Sequence, residues 1–167
     1  MTALIPRSLD AHAFAPFGEV VSFDYANARL VNNGKAFRSD LRAGLKFFAG
    51  EPKLSVYRVE AQRSPVTIVE LERHPNSSQT FVPITTARFV VVVAPDNLDG
   101  SPDLSGCRAF VGERAQGFNY RPGVWHAPIV ALDQGGDFLM LIWEQGDEAD
   151  CRTERLALPI QILSSPD

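Results

Sequence analysis

Hydrophobic and polar residues alternate over short distances along much of the chain, which is the pattern of β-strands. The apolar runs are rich in Val, Ile, Phe, Tyr and Trp, and Gly, Pro, Asn or Asp bound them. The strands predicted from these runs are Leu54–Val59, Val66–Leu71, Gln79–Ile84, Arg88–Ala94, Cys107–Val111, Phe118–Tyr120, Ile129–Leu132 and Phe138–Trp143. Many short strands with few helices predict an all-β sandwich or barrel.

Three details refine this prediction. The run Arg88–Ala94 is almost continuously apolar, which predicts a central strand that is covered on both faces. Pro83 cannot donate a ladder hydrogen bond, so we expect it at a sheet edge or at the end of a strand. A short helix is predicted over Ser8–Phe14, with Ser8 as its N-terminal cap.

The composition is that of an ordinary globular protein, with 45% hydrophobic and 22% charged residues among 167. This length suits one domain, and no Gly/Ser-rich linker divides the chain, so residues 1–167 are expected to form a single domain. The net charge is −4, whereas a protein that binds a phosphate backbone is normally basic, so no nucleic-acid partner is expected. The longest apolar run, Phe89–Ala94, is far shorter than the roughly 20 residues of a membrane span, so no membrane partner is expected.

The cysteines and the start of the chain point to the cytoplasm. The first residues lack the basic and apolar regions of a secretory signal, and Cys107 and Cys151 do not form a C-x-x-C pair. We therefore expect both to be buried thiols in a cytoplasmic protein.

Histidines and arginines limit the chemistry that is available. Only His12, His74 and His126 can serve as imidazole ligands or bases, and His12 is expected to lie on the surface. The basic residues comprise 13 Arg and 3 Lys. This excess suits carboxylate recognition, although a codon bias toward Arg explains it equally well.

Two segments place histidines beside predicted strands. The first contains Glu72, His74 and Gln79, and on a strand the first two side chains point to the same face because they are two residues apart. The second has a Pro-Gly turn three residues before His126. Their spacing is similar to that of the two halves of a cupin site, with Glu72 in place of a usual His and Gln79 near the usual Glu.

This arrangement brings four metal-ligand candidates, Glu72, His74, Gln79 and His126, toward one interior. Imidazoles with carboxylate and amide oxygens suit a divalent first-row ion such as Ni, Mn, Fe or Zn, and an open position remains for substrate. Two plainer interpretations stay open. His74, which precedes Pro75, also suits a turn, and Glu72 also suits an ion pair with an arginine.

A longer series of motifs follows in order between about residues 9 and 155. The motifs are Phe14-x-Pro16-Phe17-Gly18-Glu19-Val20, Asn32-Asn33-Gly34, Glu70-Leu71-Glu72-Arg73-His74-Pro75, Gln79-x-Phe81-x-Pro83, Phe89-Val90-Val91-Val92-Val93-Ala94, Pro102-Asp103-Leu104, Arg108-Ala109-Phe110, Gln116-Gly117-x-Asn119-Tyr120 and Val124-Trp125-His126-x-Pro128. This ordered set resembles the ureidoglycolate lyase family, formerly called ureidoglycolate hydrolase. It covers nearly the whole chain and is more specific than the cupin spacing alone.

The resemblance implies a mainly β, cupin-like antiparallel barrel or sandwich of the bicupin type, with a few short helices, and usually a homodimer. It implies cleavage of (S)-ureidoglycolate to glyoxylate and urea in allantoin and purine catabolism. It also implies Ni²⁺ or another divalent metal as a cofactor, with metal-free activity as the alternative. No organic cofactor is expected.

Cleavage of this substrate requires a base for its hydroxyl, an acid for the leaving urea nitrogen and a cation for its carboxylate. The catalytic candidates are His126, His74 and Glu72, with either histidine as base or metal ligand and Glu72 as a ligand or its partner. The substrate-binding candidates are Arg73, Arg58 and Arg108 for the carboxylate, Asn32 and Asn33 for the urea group, and Tyr120 and Trp125 as pocket walls. Strand alternation argues against Arg73, and Asn-Asn-Gly equally suits a simple turn.

Two other functions remain open from the sequence. The incomplete set of cupin ligands also suits a non-catalytic metabolite-binding or regulatory domain. The cupin spacing also suits another metal-dependent enzyme, such as an isomerase or a dioxygenase.

Overall fold

A computed structural model describes residues 2–40 and 44–164. The elements in chain order are β1 (Thr2–Leu4), β2 (Arg7–Ser8), α1 (Ala11–Phe14), β3 (Gly18–Ser22), β4 (Arg29–Val31), β5 (Ala36–Arg38), β6 (Glu51–Val59), β7 (Val66–Arg73), β8 (Gln79–Pro83), β9 (Arg88–Ala94), β10 (Arg108–Glu113), β11 (Gln116–Tyr120), β12 (Trp125–His126), β13 (Val130–Leu132), β14 (Gly136–Glu144) and β15 (Arg152–Ile162).

Two large sheets form the body of the molecule. The first has the strand order β1-β15-β7-β12-β9-β10-β2, with β13 also paired to β9, and the second has the order β3-β11-β8-β14-β6. Strands β4 and β5 form a separate two-stranded hairpin. The pairs β1–β15 and β2–β10 are parallel, whereas β9–β10 and β6–β14 are among the antiparallel ones. The predicted mainly β architecture is confirmed, with parallel pairing added toward the edges of the first sheet.

Strand β9 lies in the middle of the first sheet and contributes to the core on both of its faces, as predicted. Phe89, Val91 and Val93 belong to one buried cluster, whereas Val90 and Val92 belong to another. Side chains alternate along a strand, so one apolar strand supplies both clusters. We call the first the inner cluster, because it also contains Phe81, Phe118 and Phe138 from the second sheet, and we call the other the outer cluster.

The short helix is displaced from its predicted start. It covers Ala11–Phe14, and the side chain of Asp10 caps it by accepting hydrogen bonds from the backbone N–H groups of His12 and Ala13, both at 2.9 Å. The prediction that Ser8 is the cap is wrong, because Ser8 lies in β2 and pairs with Val111.

Several strands were not predicted, and the longest of them is β15. Its first half is mostly exposed and carries charged residues, so it shows no alternation of apolar and polar positions. It forms a sheet because it pairs along β7, from Arg152 opposite Arg73 to Ile162 opposite Val66. Tertiary pairing overrides the weak local pattern here.

The expectations for Pro83 and the cysteines have separate outcomes. Pro83 is the last residue of β8, as predicted for a residue that lacks an N–H donor. Cys107 is buried and both cysteines are free thiols, but Cys151 is exposed, so its predicted burial is wrong.

In the part of the chain that the structure describes, no helix is long and apolar enough to cross a membrane.

Candidate active site

Three predicted catalytic residues meet where β7 and β12 pair. His126 lies directly opposite Glu72 across these strands, and His74 follows the last residue of β7. One ligand atom from each of Glu72, His74 and His126 lies within 4.8 Å of the others. The structure therefore brings together residues from the two sequence motifs, as a shared site requires.

Backbone carbonyl groups orient both imidazoles. Nδ1 of His74 lies 2.9 Å from the carbonyl oxygen of Asp150, and Nδ1 of His126 lies 2.8 Å from that of Val124. A carbonyl oxygen only accepts hydrogen bonds, so each Nδ1 must carry the proton and donate it. In the neutral rings, Nε2 then has a free lone pair that points away from its carbonyl anchor.

These lone pairs are buried and face the Glu72 carboxylate. Nε2 of His126 lies 3.6 Å from Oε1 of Glu72, and within residues 2–40 and 44–164 neither Nε2 atom has a hydrogen-bond partner. A lone pair opposite a carboxylate is repulsive unless a proton or a cation lies between them. Metal-ligating histidines ordinarily donate their second N–H to a backbone carbonyl. The cluster thus fits a divalent ion, with Glu72, His74 and His126 as its ligands.

Opposing effects act on the ionisable groups of the cluster. The neighbouring His126 imidazole is the largest cause that lowers the pKa of Glu72, since a proton on that ring favours the carboxylate, against the effect of partial burial. Burial, followed by the neighbouring charge of His126, lowers the pKa of His74. Glu72 is thereby favoured as a carboxylate and His74 as a neutral imidazole, which are the forms that bind metals.

An aromatic ring and a buried amide complete the floor of the site. The ring of Tyr120 stacks on His126 with centroids 4.0 Å apart, and burial raises the pKa of its hydroxyl well above the ordinary value. Gln79 lies opposite Tyr120 on β8, is 4% exposed, and has an Oε1 atom without a hydrogen-bond partner in the described ranges. Tyr120 therefore holds the His126 ring, while Gln79 offers a free carbonyl oxygen.

A cavity of about 310 Å³ opens beside Glu72 and Gln79. It is lined by Tyr57, Arg58, Val59, Glu60, Gln62, Glu72, Gln79, Phe81, Pro128 and Ile129. This volume suits a small metabolite. The cavity combines an apolar wall with the acidic and amide groups at its base.

Two residues near the cluster are not among the candidates that the sequence analysis identified. Tyr57 lines the cavity, and its hydroxyl pKa is raised by burial and then by the negative charges of Glu72 and Glu144. The thiol of Cys151 lies 3.9 Å from Oε2 of Glu72. Neither residue belongs to a recognisable motif, but each lies on a strand or strand end that neighbours the cluster only in the folded sheets.

Of the three arginine candidates, Arg58 alone lines the cavity beside Glu72. Arg58 lines the cavity, but its guanidinium already makes two hydrogen bonds to Asp137, at 2.8 and 3.0 Å. Arg73 points to the opposite face of β7, as strand alternation predicts, where it bonds Asp96 at 2.9 Å. Arg73 and Arg108 instead line another cavity, of about 510 Å³. The structure therefore does not bring Arg73 or Arg108 to the cluster.

The remaining substrate-binding candidates also lie outside the cavity. Trp125 is in the outer cluster, because alternation along β12 turns it away from the face that carries His126, and its indole N–H donates to the carbonyl of Gly100 at 3.3 Å. Asn32 and Asn33 form the turn between β4 and β5 with φ of 54° and 55°. Their conformation matches the turn interpretation, and neither lines the cavity beside Glu72.

The two β-sheets with a His/His/carboxylate cluster at β7 and β12 are typical of a protein of the cupin-like class. Similar solved folds include the RmlC epimerase of Mycobacterium tuberculosis, with a TM-score of 0.50 and 17% identity over 88% of this chain and 71% of that one. The dTDP-6-deoxy-D-glucose-3,5-epimerase RmlC of Legionella pneumophila also has a TM-score of 0.50, with 13% identity over 98% of this chain and 87% of that one. These similarities establish the fold alone.

Sequence comparison then identifies the family. The family profile described as Ureidoglycolate lyase matches residues 1–163. A protein named ureidoglycolate lyase from Pseudomonas syringae pathovar syringae is 41% identical over 143 residues, which are 84% of this chain and 83% of that protein. A protein of the same name from Pseudomonas fluorescens is 38% identical over 84% of each chain. The chain belongs to the ureidoglycolate lyase family.

Proposed function

We propose that this protein cleaves (S)-ureidoglycolate to glyoxylate and urea, as a step in the breakdown of allantoin and purines. The observation that carries the proposal is the Glu72/His74/His126 cluster, whose Glu72 lines a cavity of metabolite size, in a chain of this family. Carbon–nitrogen cleavage needs a group that accepts a proton from the hydroxyl and then donates one to the leaving nitrogen, and an imidazole of this cluster can do both.

The reaction moves one proton from oxygen to nitrogen. The O–H bond of the substrate breaks as its carbon–oxygen double bond forms, the C–N bond breaks, and the urea nitrogen takes up a proton. In the metal-free cluster, we infer that an Nε2 lone pair of His126 or His74 accepts the hydroxyl proton, since both lone pairs are then free and buried. The resulting imidazolium beside Glu72 then donates a proton to the leaving nitrogen.

The remaining residues orient the substrate and exclude water. Gln79 is buried with a free Oε1 at the cavity wall, where it can accept a hydrogen bond from the urea group. Arg58 reaches the same cavity and is our candidate for the substrate carboxylate, with Asp137 holding its guanidinium. Phe81 and Ile129 supply apolar walls.

As the alternative state, we propose that the cluster holds Ni²⁺ or another divalent first-row ion through Glu72, His74 and His126, with Gln79 as a further oxygen donor. The Nε2 atoms then act as ligands and not as bases. Such an ion would lower the pKa of the substrate hydroxyl. The anchored imidazoles with their unpartnered Nε2 atoms support this ligand set.

Further proposals concern the whole chain, which we expect to act as a single cytoplasmic domain in a homodimer. Strand β6 is an edge strand of the second sheet and exposes Leu54 (67%) and Val56 (62%), which suits contact with a second copy. Light scattering should give twice the 18.3 kDa chain mass. Leu54→Lys should lower this value, whereas Leu98→Lys, on an exposed loop, should not.

The decisive test is an assay of products from (S)-ureidoglycolate, with and without added Ni²⁺ or Mn²⁺. We expect stoichiometric glyoxylate and urea. Glyoxylate with ammonia and CO₂ would instead indicate an amidohydrolase. No turnover under either condition would contradict the proposal.

A further inference from the structure

The thiol of Cys151 lies at the edge of the Glu72/His74/His126 cluster. Thr153 pairs with Glu72 in the register of β7 and β15, and Cys151 precedes Thr153 by two residues, which places both on one face of an extended chain. The Sγ atom lies 3.9 Å from Oε2 of Glu72. The residue before it, Asp150, supplies the carbonyl that anchors His74. Cys151 is thus held beside two members of the cluster.

A second and independent observation points to a cation at this place. The His126 side chain is 3% exposed, and its Nε2 has no hydrogen-bond partner among the described residues although a carboxylate oxygen lies 3.6 Å away. His74 is 9% exposed, and its Nε2 is likewise buried and without a hydrogen-bond partner among the described residues. Buried polar atoms are almost always paired, so two such atoms facing one carboxylate indicate an exogenous partner of positive charge.

We propose that Cys151 is a fourth ligand of the metal ion bound by Glu72, His74 and His126, and that its thiolate makes the site prefer zinc, cobalt or nickel to manganese or magnesium. This inference rests on the metal site of the proposed function. Cys151 lies outside the tight three-residue group, so it would be recruited as the ion binds, and the substrate hydroxyl of the proposed function would enter as an additional ligand. Its S–H bond breaks, a sulfur–metal bond forms, and the proton passes to solvent.

The distance between sulfur and carboxylate fits this role. Two ligands of one tetrahedral zinc ion, one sulfur and one oxygen, lie roughly 3.6 Å apart when their bonds have ordinary lengths. The observed 3.9 Å between Sγ and Oε2 is close to this value, but Cys151 lies outside the group formed by the other ligand atoms, so its side chain has to move toward the imidazoles as the ion binds. Thiolate ligands also favour the thiophilic ions over manganese and magnesium, which prefer oxygen.

The alternative role of Cys151 is a weak hydrogen bond that positions Glu72, and Cys151→Ser separates the two. Serine keeps a donor at the same place but does not supply a thiolate. Cys107→Ser is the matched control, because Cys107 is buried in the outer cluster, away from Glu72.

The experiment is cobalt substitution followed by absorption spectroscopy. Wild type and Cys107→Ser should show a near-ultraviolet thiolate-to-cobalt charge-transfer band together with the visible ligand-field bands. Cys151→Ser should keep the ligand-field bands and lose the charge-transfer band. Competition titrations should show zinc affinity reduced by at least about tenfold in Cys151→Ser, since even outer ligand partners are worth about that much, with a smaller change for manganese.

Two results would overturn the inference in different ways. Ligand-field bands without a charge-transfer band in wild type would reject Cys151 as a ligand while leaving the three-residue metal site intact. The variant His126→Ala should not bind cobalt at this site. If wild type does not bind cobalt either, both the fourth ligand and the metal site are rejected. The product assay on chelator-treated protein would still report separately on the lyase reaction.

Discussion

The chemistry of single residues here depends on backbone anchors as much as on side chains. The carbonyl oxygens of Asp150 and Val124 accept hydrogen bonds from Nδ1 of His74 and His126. Each neutral ring is therefore the tautomer with its proton on Nδ1, and both Nε2 lone pairs are left for the cluster. Stacking on Tyr120 then limits rotation of the His126 ring. Glu72 consequently faces preorganised groups, and such preorganisation reduces the reorganisation needed for reaction.

Replacing His126 should test this arrangement most directly. We expect His126→Ala to lower kcat for ureidoglycolate cleavage by about 10²–10⁴-fold, because a positioned acid–base group is removed. His12→Ala is the control, since that imidazole is exposed on α1 and should leave the rate unchanged. Circular dichroism should show that both variants are folded, and near wild-type activity in folded His126→Ala would refute the assignment.

The two thiols should differ sharply in reactivity. Burial raises the pKa of Cys107 to about 11. Partial burial and the charge of Glu72 also raise the pKa of Cys151, but that thiol is exposed to reagent whereas Cys107 is buried. Because the thiolate is the reactive form, a disulfide reagent at neutral pH should titrate one thiol in the folded, metal-free protein and the second only after unfolding. The fast phase should disappear in Cys151→Ser, and a fast phase that persists there would contradict the assignment.

At the scale of elements, short strands decide which side chains meet. Strand β12 has two residues, and it sends Trp125 to the outer cluster and His126 to the site. It lies between β7 and β9, so its position depends on two neighbours that are distant in sequence. The sheet therefore fixes Glu72 and His126, whereas His74 and its anchor Asp150 lie just outside the ends of strands.

A buried residue of β9 should contribute more to the free energy of unfolding than an exposed residue of another strand. Val91→Ala should lower the free energy of unfolding by about 1.5–3 kcal/mol, because Val91 is 1% exposed in the inner cluster. Val69→Ala, at a position that is 49% exposed on β7, loses the same β-propensity without the burial. Urea denaturation should separate the two variants, and equal losses would mean that β9 packing is not decisive.

On the scale of the whole molecule, burial of the site couples its ionisation to folding. His74 has a lowered pKa in the folded protein, so below the ordinary value of about 6.5 the unfolded chain binds a proton that the folded chain does not. Stability from this group is thus present at higher pH and is lost as the pH falls through that window. Glu72, whose pKa is also lowered, acts in the same direction but at lower pH, below its ordinary range.

Metal-free protein should therefore lose stability between about pH 7 and pH 5, by at most about 1.4 kcal/mol per pH unit for a single proton. His74→Gln should flatten this part of the profile and leave the more acidic part. Thermal or urea unfolding as a function of pH measures both curves. An identical slope in the variant would show that His74 does not titrate differently in the folded chain.

Local pattern predicted much of the fold but only part of the site. The apolar runs located strands such as β7 and β9, since periodicity and residue type act locally. The same reasoning missed β15, whose exposed, charged half becomes a strand by pairing with β7. It also missed Tyr57 and Cys151, because proximity to Glu72 arises from pairing between strands that are distant along the chain.

The sequence by itself determined the fold class and the family and pointed to Glu72, His74 and His126 as neighbours in one cluster, because each is carried by local periodicity or by an ordered motif. Only the tertiary structure decided which other candidates lie beside them. It placed Arg58 at the cavity but turned Arg73 and Trp125 to the other side, since the direction of a side chain depends on strand pairing and on which face a neighbouring sheet covers.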